Sequence, residues 1–165
     1  MLQSERLSLR TMTIGDTEPL MAVFTDPAVM ASFGGDLFDR EQMKRWVERN
    51  LAHQEQHGYG LFTVVLRRDG VIIGDCGLEH MEVDGSPEIE LGYDFRSEYW
   101  GRGLATEAAT AVRDHAFHDL GVERLISLIR SDNAASCRVA EKIGMLHERD
   151  LPRGGIPYRL YAVAL

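Results

Sequence analysis

Apolar and polar residues alternate along several short stretches of the chain. The clearest case is residues 88–95, where apolar side chains hold the odd positions and acidic residues or glycine hold the even ones. A period of two predicts a strand that buries one face and leaves the other polar. The same alternation over residues 5–10 predicts a first strand near the start of the chain.

Helical spacing and turn residues complete the outline of the predicted elements. The Asp-Gly pair at residues 69–70 predicts a hairpin, because this dipeptide favours the tight turns that join antiparallel strands. Residues 84–87 predict a second turn, and residues 28–36 give no clear pattern beyond a turn at Gly34-Gly35. The predicted strands cover residues 5–10, 61–66, 71–78, 88–95, 124–129, 145–148 and 158–165, and the predicted helices cover 16–24, 39–51, 104–120 and 132–143.

The order of these elements predicts a mixed sheet. Residues 88–95, 104–120 and 124–129 form a strand, a helix and a strand, which implies a parallel strand pair joined by a right-handed crossover. The hairpins add antiparallel neighbours. A chain of 165 residues suits a single domain over residues 1–165. The expected fold class is therefore α/β, in its mixed α+β form.

Gly101 and Gly103 stand between the strand at residues 88–95 and the helix that follows it. Glycine permits the left-handed backbone of a tight turn, and the N–H groups in the first turn of a helix have no partner within the helix. Together these features predict a cradle for a phosphate group. Two glycines alone are a weak signal, since short glycine patterns are common.

Trp100-Gly101-Arg102-Gly103-Leu104-Ala105 resembles the pyrophosphate loop of the GNAT superfamily of acetyl-CoA-dependent N-acetyltransferases, and it is similar to the branch related to RimJ and RimL. The family pattern starts with Gln or Arg. This chain has Trp100 there, which affects one side-chain contact and leaves the backbone cradle intact. Residues 133–145 resemble the second family motif, in which an Asn is followed by Ser or Ala three residues on and then by Lys-x-Gly-Phe. The order and spacing of the two motifs carry the resemblance.

The resemblance implies a GNAT-like fold, with a central twisted mixed sheet of about seven strands, about four flanking helices, and parallel strands that splay at the cofactor site. It implies acetyl-CoA as the acetyl donor and no metal. The residues that it assigns to cofactor binding are Tyr93, Asp94, Phe95, Gly101, Arg102, Gly103, Leu104, Ala105, Thr106 and Asn133. Residues 102–106 would offer main-chain N–H groups to the pyrophosphate.

Glu90 is the candidate general base. Acetyl transfer to an alkylamine requires a proton acceptor, because the amine has a pKa of about 10. GNAT enzymes often place a carboxylate on this strand beside the thioester, and Glu90 stands at that place. The alternative is that Glu88, Glu90 and Asp94 form a solvated strand face. Periodicity does not choose among the three acids.

Asn133 and Ser136 are the other candidate catalytic residues. The resemblance implies that Asn133 contacts the cofactor arm or the acceptor where the parallel strands part, and that Ser136 lies near the sulfur. Many GNAT enzymes protonate the thiolate with a Tyr where this chain has Ala140, so another donor is required and Ser136 is the candidate. Asn133 is also a good helix N-cap and Ser136 is also an ordinary first-turn serine, so a purely structural role stays open for each.

Composition and charge narrow the class of partner. The chain has 18 basic and 26 acidic residues, a formal net charge of −8 and no stripe of Lys or Arg, so nucleic-acid binding is not expected. An amine-bearing acceptor suits this charge. Two cysteines without motif spacing, no apolar leader and no bilayer-spanning run predict a cytoplasmic protein with free thiols. Two pairs of helical histidines lack the further ligands of a zinc site.

Two other classes of protein compete with the acetyltransferase. A dinucleotide-binding protein would need a third glycine where Thr106 stands and an acid where Ile129 and Arg130 stand. A catalytically idle acyl-CoA-binding module is consistent with the missing Tyr. The acceptor, which is a protein N-terminus or a small-molecule amine, and the choice between monomer and homodimer stay open.

Overall fold

The protein folds around one eight-stranded sheet, and the computed structural model describes residues 1–165. The strands are β1 (Leu2–Gln3), β2 (Leu7–Thr11), β3 (Leu61–Leu66), β4 (Ile72–Val83), β5 (Ser86–Phe95), β6 (Arg124–Arg130), β7 (Leu146–Asp150) and β8 (Tyr158–Ala164). The α-helices are α1 (Thr17–Phe24), α2 (Pro27–Met30), α3 (Arg40–His57), α4 (Leu104–His118) and α5 (Ala134–Lys142). Short 3-10 turns lie at Ile14–Asp16, Ala31–Phe33 and Ser97–Tyr99.

The strands lie in the order β1-β2-β3-β4-β5-β6-β8-β7. Neighbouring strands are antiparallel, except for β5 and β6, which are parallel and are connected through α4. This arrangement confirms the predicted mixed fold and its parallel strand pair. None of the helices combines the length and the apolar character that are needed to cross a lipid bilayer.

The sequence pattern does not predict two of these elements. β1 has only two residues, which is too short for an alternation to be read, and it pairs with β2 at the edge of the sheet. α2 begins after Asp26, whose side chain accepts a hydrogen bond from the N–H of Ala28 at 3.0 Å, with Pro27 in the first helical position. The Asp-Pro pair therefore starts a short helix in the region without a clear pattern.

The turn between β4 and β5 is tighter than predicted. Only Asp84 (φ 50°) and Gly85 (φ 77°) lie in the left-handed region, and β5 already begins at Ser86. Two residues with positive φ form the kind of hairpin turn that matches the twist of antiparallel strands. The prediction that the turn extends to Pro87 is therefore wrong. The tight turn sets the register of the hairpin, in which Glu90 lies opposite Glu79 and Asp94 lies opposite Asp75.

Apolar side chains pack on both faces of the sheet. On one face, Leu91 and Phe95 of β5 join a cluster with α4 and α5. On the other face, α1, α2 and α3 pack around Phe24 and Val47. Burial of Leu91 and Phe95 confirms the alternation in β5. It leaves the even-numbered residues of this strand on the face that carries the first three helices.

Candidate active site

The parallel strands β5 and β6 pair at a single position and then separate. Their one register pair is Glu90 with Ile126. Beyond it, side chains replace main-chain partners: the Ser127 hydroxyl donates to the Leu91 carbonyl oxygen at 2.6 Å, and the Leu128 N–H donates to Oε1 of Glu90 at 3.1 Å between nitrogen and oxygen. The strands therefore splay towards their C-terminal ends, as predicted for the parallel pair.

A cleft of about 460 Å³ opens between the splayed strands. It is lined by residues of β5 and β6, by the loop before α4, by the first turns of α4 and α5, and by Phe33 and Trp46 from the opposite side. Of the residues predicted to bind the cofactor, those that line the cleft are Tyr93, Asp94, Phe95, Gly101, Gly103, Leu104, Ala105, Thr106 and Asn133. The predicted catalytic residues Glu90 and Ser136 line it as well.

The loop before α4 presents unpaired main-chain donors. Gly101 and Gly103 have φ values of 72° and 77°, in the left-handed region, and Gly103 is the N-cap of α4. The N–H groups of residues 102–106 donate no hydrogen bond within the protein. Five free donors at a helix N-terminus form a site suited to an anion.

Arg102 is the one predicted cofactor residue that does not line the cleft. Its guanidinium carbon lies 5.4 Å from the centre of the Tyr99 ring, and its carbonyl oxygen accepts a hydrogen bond from Arg6 at 2.9 Å. Only its main-chain N–H belongs to the loop donors. Trp100, which replaces the Gln or Arg of the family pattern, lines the cleft and donates from its indole nitrogen to the Phe95 carbonyl oxygen at 2.9 Å.

The three acids of β5 have different surroundings, so they do not form a solvated face. Glu88 pairs with Arg124, with 3.2 Å between Oε2 and Nε. Glu90 lies at the point where the strands part, and burial raises its pKa to about 7, against the opposing effect of its hydrogen bond from Leu128. A carboxyl group that titrates near neutral pH is suited to accept a proton from an amine.

Asp94 lies beside a fully buried partner, Asp75. Nε1 of Trp46 donates to Oδ2 of Asp75 at 3.2 Å, whereas Oδ1 of Asp75 has no hydrogen-bond partner. Burial raises the pKa of both carboxyl groups, that of Asp94 to about 7. Sequence reasoning missed Asp75 and Trp46, although an aspartate within the apolar run of residues 71–78 is a signal that could have found Asp75.

Asn133 holds two parts of the cleft together. Its Oδ1 accepts a hydrogen bond from the Ser136 N–H at 3.2 Å, which makes it the N-cap of α5. Its Nδ2 donates to the Ser32 hydroxyl at 3.0 Å, in the 3-10 turn on the opposite side of the cleft. The sequence pattern gives no indication of this second contact, because the two residues are 101 positions apart.

Ser136 lies in the first turn of α5 with a half-buried side chain. Its carbonyl oxygen accepts a hydrogen bond from the Tyr93 hydroxyl at 2.8 Å, and its own hydroxyl makes no hydrogen bond within the protein. Tyr93 thus fixes the N-terminus of α5 against β5. The Ser136 hydroxyl remains free to bond to a molecule in the cleft.

The fold and the cleft define a CoA-dependent acyltransferase, and comparison with known proteins gives the family. Residues 6–146 match the family model described as Acetyltransferase (GNAT) domain. The chain belongs to the GNAT family of acetyltransferases and is an acetyl-CoA-dependent acyltransferase.

Relatives in sequence and structure agree with this assignment. The Bacillus subtilis protein YkkB is 34% identical over 161 residues, which cover 97% of this chain and 93% of YkkB. An acetyltransferase from Agrobacterium tumefaciens is 30% identical, with a TM-score of 0.85 over 99% of this chain and 94% of its own. RimL, a ribosomal-protein N-acetyltransferase solved in complex with CoA, is 19% identical, with a TM-score of 0.80 over 98% of this chain and 96% of its own. The likeness to RimL shows a shared fold.

Proposed function

We propose that this protein moves the acetyl group of acetyl-CoA directly to a primary amine, with Glu90 as the proton acceptor. The observation that carries the proposal is the position of Glu90, a carboxyl group with a pKa of about 7 that lines the cleft where β5 and β6 part. In the reaction one proton of the acceptor's ammonium group passes to Glu90, the amine nitrogen attacks the thioester carbon, and the C–S bond breaks; the nitrogen then loses a second proton as the leaving thiolate takes one up.

The free N–H groups of residues 102–106 support a position for the cofactor. They would hold the pyrophosphate of CoA at the N-terminus of α4. From there the thioester arm enters the opening between β5 and β6, where Tyr93, Phe95 and Asn133 line its path. This arrangement brings the thioester to the part of β5 that carries Glu90.

Ser136 is the proposed donor of a proton to the thiolate that leaves. Its hydroxyl lines the cleft and has no partner within the protein, and Ala140 offers no donor at the position where many GNAT enzymes have a Tyr. Asn133 positions Ser136 by capping α5. The side-chain amide of Asn133 already donates a hydrogen bond to the Ser32 hydroxyl. To contact the cofactor arm as well, it has to give up this bond and donate to the ligand instead.

The acceptor class is a primary amine, on a small molecule or at a protein N-terminus. The shared fold with RimL supports an N-terminal amine and the RimJ/RimL-like branch. The acidic residues Glu79, Glu90 and Asp94 on the wall of the cleft support an acceptor that arrives with a positive charge.

An acceptor screen tests this function. Protein and acetyl-CoA are mixed with alkylamines and with peptides that have free N-termini, and release of the CoA thiol is followed. We expect turnover with at least one class of amine. Binding of acetyl-CoA without turnover of any amine would instead favour an idle acyl-CoA-binding module, and failure to bind acetyl-CoA would contradict the placement of the cofactor.

A further inference from the structure

Asp75 and Asp94 form a pair of carboxyl groups on the sheet face that carries α1, α2 and α3, and Asp94 lines the cleft. Acetyl transfer, as proposed, does not use this pair. The two residues face each other across β4 and β5. Asp75 is fully buried, and its Oδ1 has no hydrogen-bond partner. A buried polar atom without a partner destabilises the folded protein. A hydrogen bond between the two carboxyl groups raises the pKa of Asp75 and opposes the rise in the pKa of Asp94, so the pair holds a proton on Asp75 and carries its negative charge on Asp94.

No basic side chain of the protein neutralises the pair. Arg10 lies in the same cross-strand row as Asp75 and Asp94, but it binds Asp16, with 2.6 Å between nitrogen and oxygen. Arg49 of α3 lies 3.8 Å from Glu79. Asp94 is half-buried and lines the cleft, so a positive charge brought by a ligand would be bound favourably beside its carboxylate.

Gly92 leaves open space between this pair and the proposed base. A Cβ at Gly92 would meet no atom within 4 Å, and Glu90, Gly92 and Asp94 all line the cleft. Residues two positions apart on a strand lie on the same face, about 7 Å from each other. An amino group over Gly92 therefore has Glu90 on one side and Asp94 on the other.

We infer that the acceptor is an alkyl diamine. One amino group lies over Gly92 and is acetylated with Glu90 as the proton acceptor. The other, as an ammonium group with three donors, binds Asp94 in front of Asp75. The separation of about 7 Å suits the chain of putrescine or cadaverine and is too long for ethylenediamine. This inference rests on the proposed function and deepens it by naming the substrate class.

The test compares cadaverine with pentylamine, which has the same carbon chain and one amino group. Release of the CoA thiol at saturating acetyl-CoA gives kcat/KM for each amine. We expect cadaverine to be preferred by at least about tenfold, and ethylenediamine over ethylamine by less. Equal values for cadaverine and pentylamine in the unaltered protein would overturn the inference, as would acetylation of peptide N-termini alone.

Variants locate the source of the preference. Asp94→Asn should bring the ratio of cadaverine to pentylamine close to one, and Asp75→Asn should lower it. Because the ratio is measured within one variant, a general loss of activity cancels. Glu82→Gln is the matched control, since it removes one charge from an exposed position of β4 outside the cleft, and the ratio should stay unchanged. An unchanged ratio in Asp94→Asn would contradict the assignment.

Two further outcomes complete the test. If Asp94→Asn has no measurable turnover, calorimetric titration of cadaverine into the CoA-saturated variant replaces the ratio, and affinity equal to that of the unaltered protein overturns the inference. A protein that acetylates pentylamine and cadaverine equally well keeps the proposed function and loses only the diamine. A protein that binds CoA and acetylates no amine loses both.

Discussion

The two ends of the cleft present different chemical groups to a ligand. At one end, the loop before α4 presents the main-chain N–H groups of residues 102–106, and its glycines leave the approach to them open. At the other end, Glu90 and Asp94 line the cleft and Asp75 is buried next to Asp94, and burial raises the pKa values of all three carboxyl groups. One end suits a negatively charged ligand and the other a positively charged one. A single cleft therefore separates two ligands of opposite charge.

Replacement of Glu90 should cause the largest loss of activity. The loss should come from the end of the cleft that carries the carboxyl groups and should not affect CoA binding. In Glu90→Gln the side chain keeps its shape and loses its ability to accept the proton, so kcat/KM should fall by about 10²–10⁴-fold. The dissociation constant of CoA should change little. Glu88→Gln is the control, because Glu88 pairs with Arg124 outside the cleft. Similar losses in the two variants would contradict the role of Glu90.

A substitution in the loop should have the converse effect. Gly103→Val places a β-branched residue at a φ of 77° and obstructs the loop. Loss of two hydrogen bonds to a charged group would weaken CoA binding by at least about a hundredfold, as measured by calorimetry.

Gly58→Val separates backbone strain from loss of the anion site. Gly58 has the same φ of 77°, but it lies at the C-cap of α3, away from the loop. This control should cost stability on the order of 1–2 kcal/mol and leave CoA affinity unchanged. Unchanged CoA affinity in Gly103→Val would count heavily against the placement of the pyrophosphate.

The pH dependence of kcat/KM should report the ionisation of Glu90, at the end of the cleft that carries the carboxyl groups. Glu90, with a pKa of about 7, must be ionised to take a proton from an ammonium group. We expect kcat/KM to rise about tenfold per pH unit below pH 7 and to level above it. In Glu90→Gln, kcat/KM should keep rising towards the pKa of the amine near pH 10. A level profile in the unaltered protein from pH 5 to pH 7 would argue against Glu90.

The smallest expected effect is on stability at the acidic end. The pKa of Asp94 is raised in the folded protein, to about 7, above its usual value of 3.8. The folded state therefore binds more protons than the unfolded state between these values, and stability falls as pH rises through them. Asp94→Asn removes this loss and should stabilise the protein at pH 8 by at least about 1 kcal/mol, the equivalent of one pKa unit.

Thermal unfolding at two pH values checks this sign. At pH 3, where Asp94 is protonated in both states, the variant and the unaltered protein should unfold at similar temperatures. A variant that is less stable than the unaltered protein at pH 8 would show that the Asp94 carboxylate is well compensated in the fold.

The sequence predicts the end of the cleft that is formed by the loop before α4, because this loop depends on local backbone conformation. Two glycines between a strand and a helix restrict the chain to few conformations, so the loop at residues 101–106 is visible as a motif. The Asp75–Asp94 pair depends instead on the register of β4 and β5, which the two-residue turn at Asp84 and Gly85 sets. A turn two residues longer would have given a different set of opposed side chains.

The same distinction holds for the fold. Long stretches such as residues 88–95 and 104–120 can be predicted from the sequence, because their apolar residues repeat with the period of a strand or of a helix over many positions. β1 has two residues and α2 has four, too few for a period. The contact between Ser32 and Asn133 joins positions that only the completed fold brings together.

The hydrogen bond from the Leu128 amide to Glu90 also gives the protein an internal reporter. An amide proton that points at a carboxyl oxygen senses its charge, so the backbone resonance of Leu128 should move as Glu90 gains or loses its proton. A nuclear magnetic resonance titration of this one signal would read the ionisation of the base without a substrate, a dye or an altered residue.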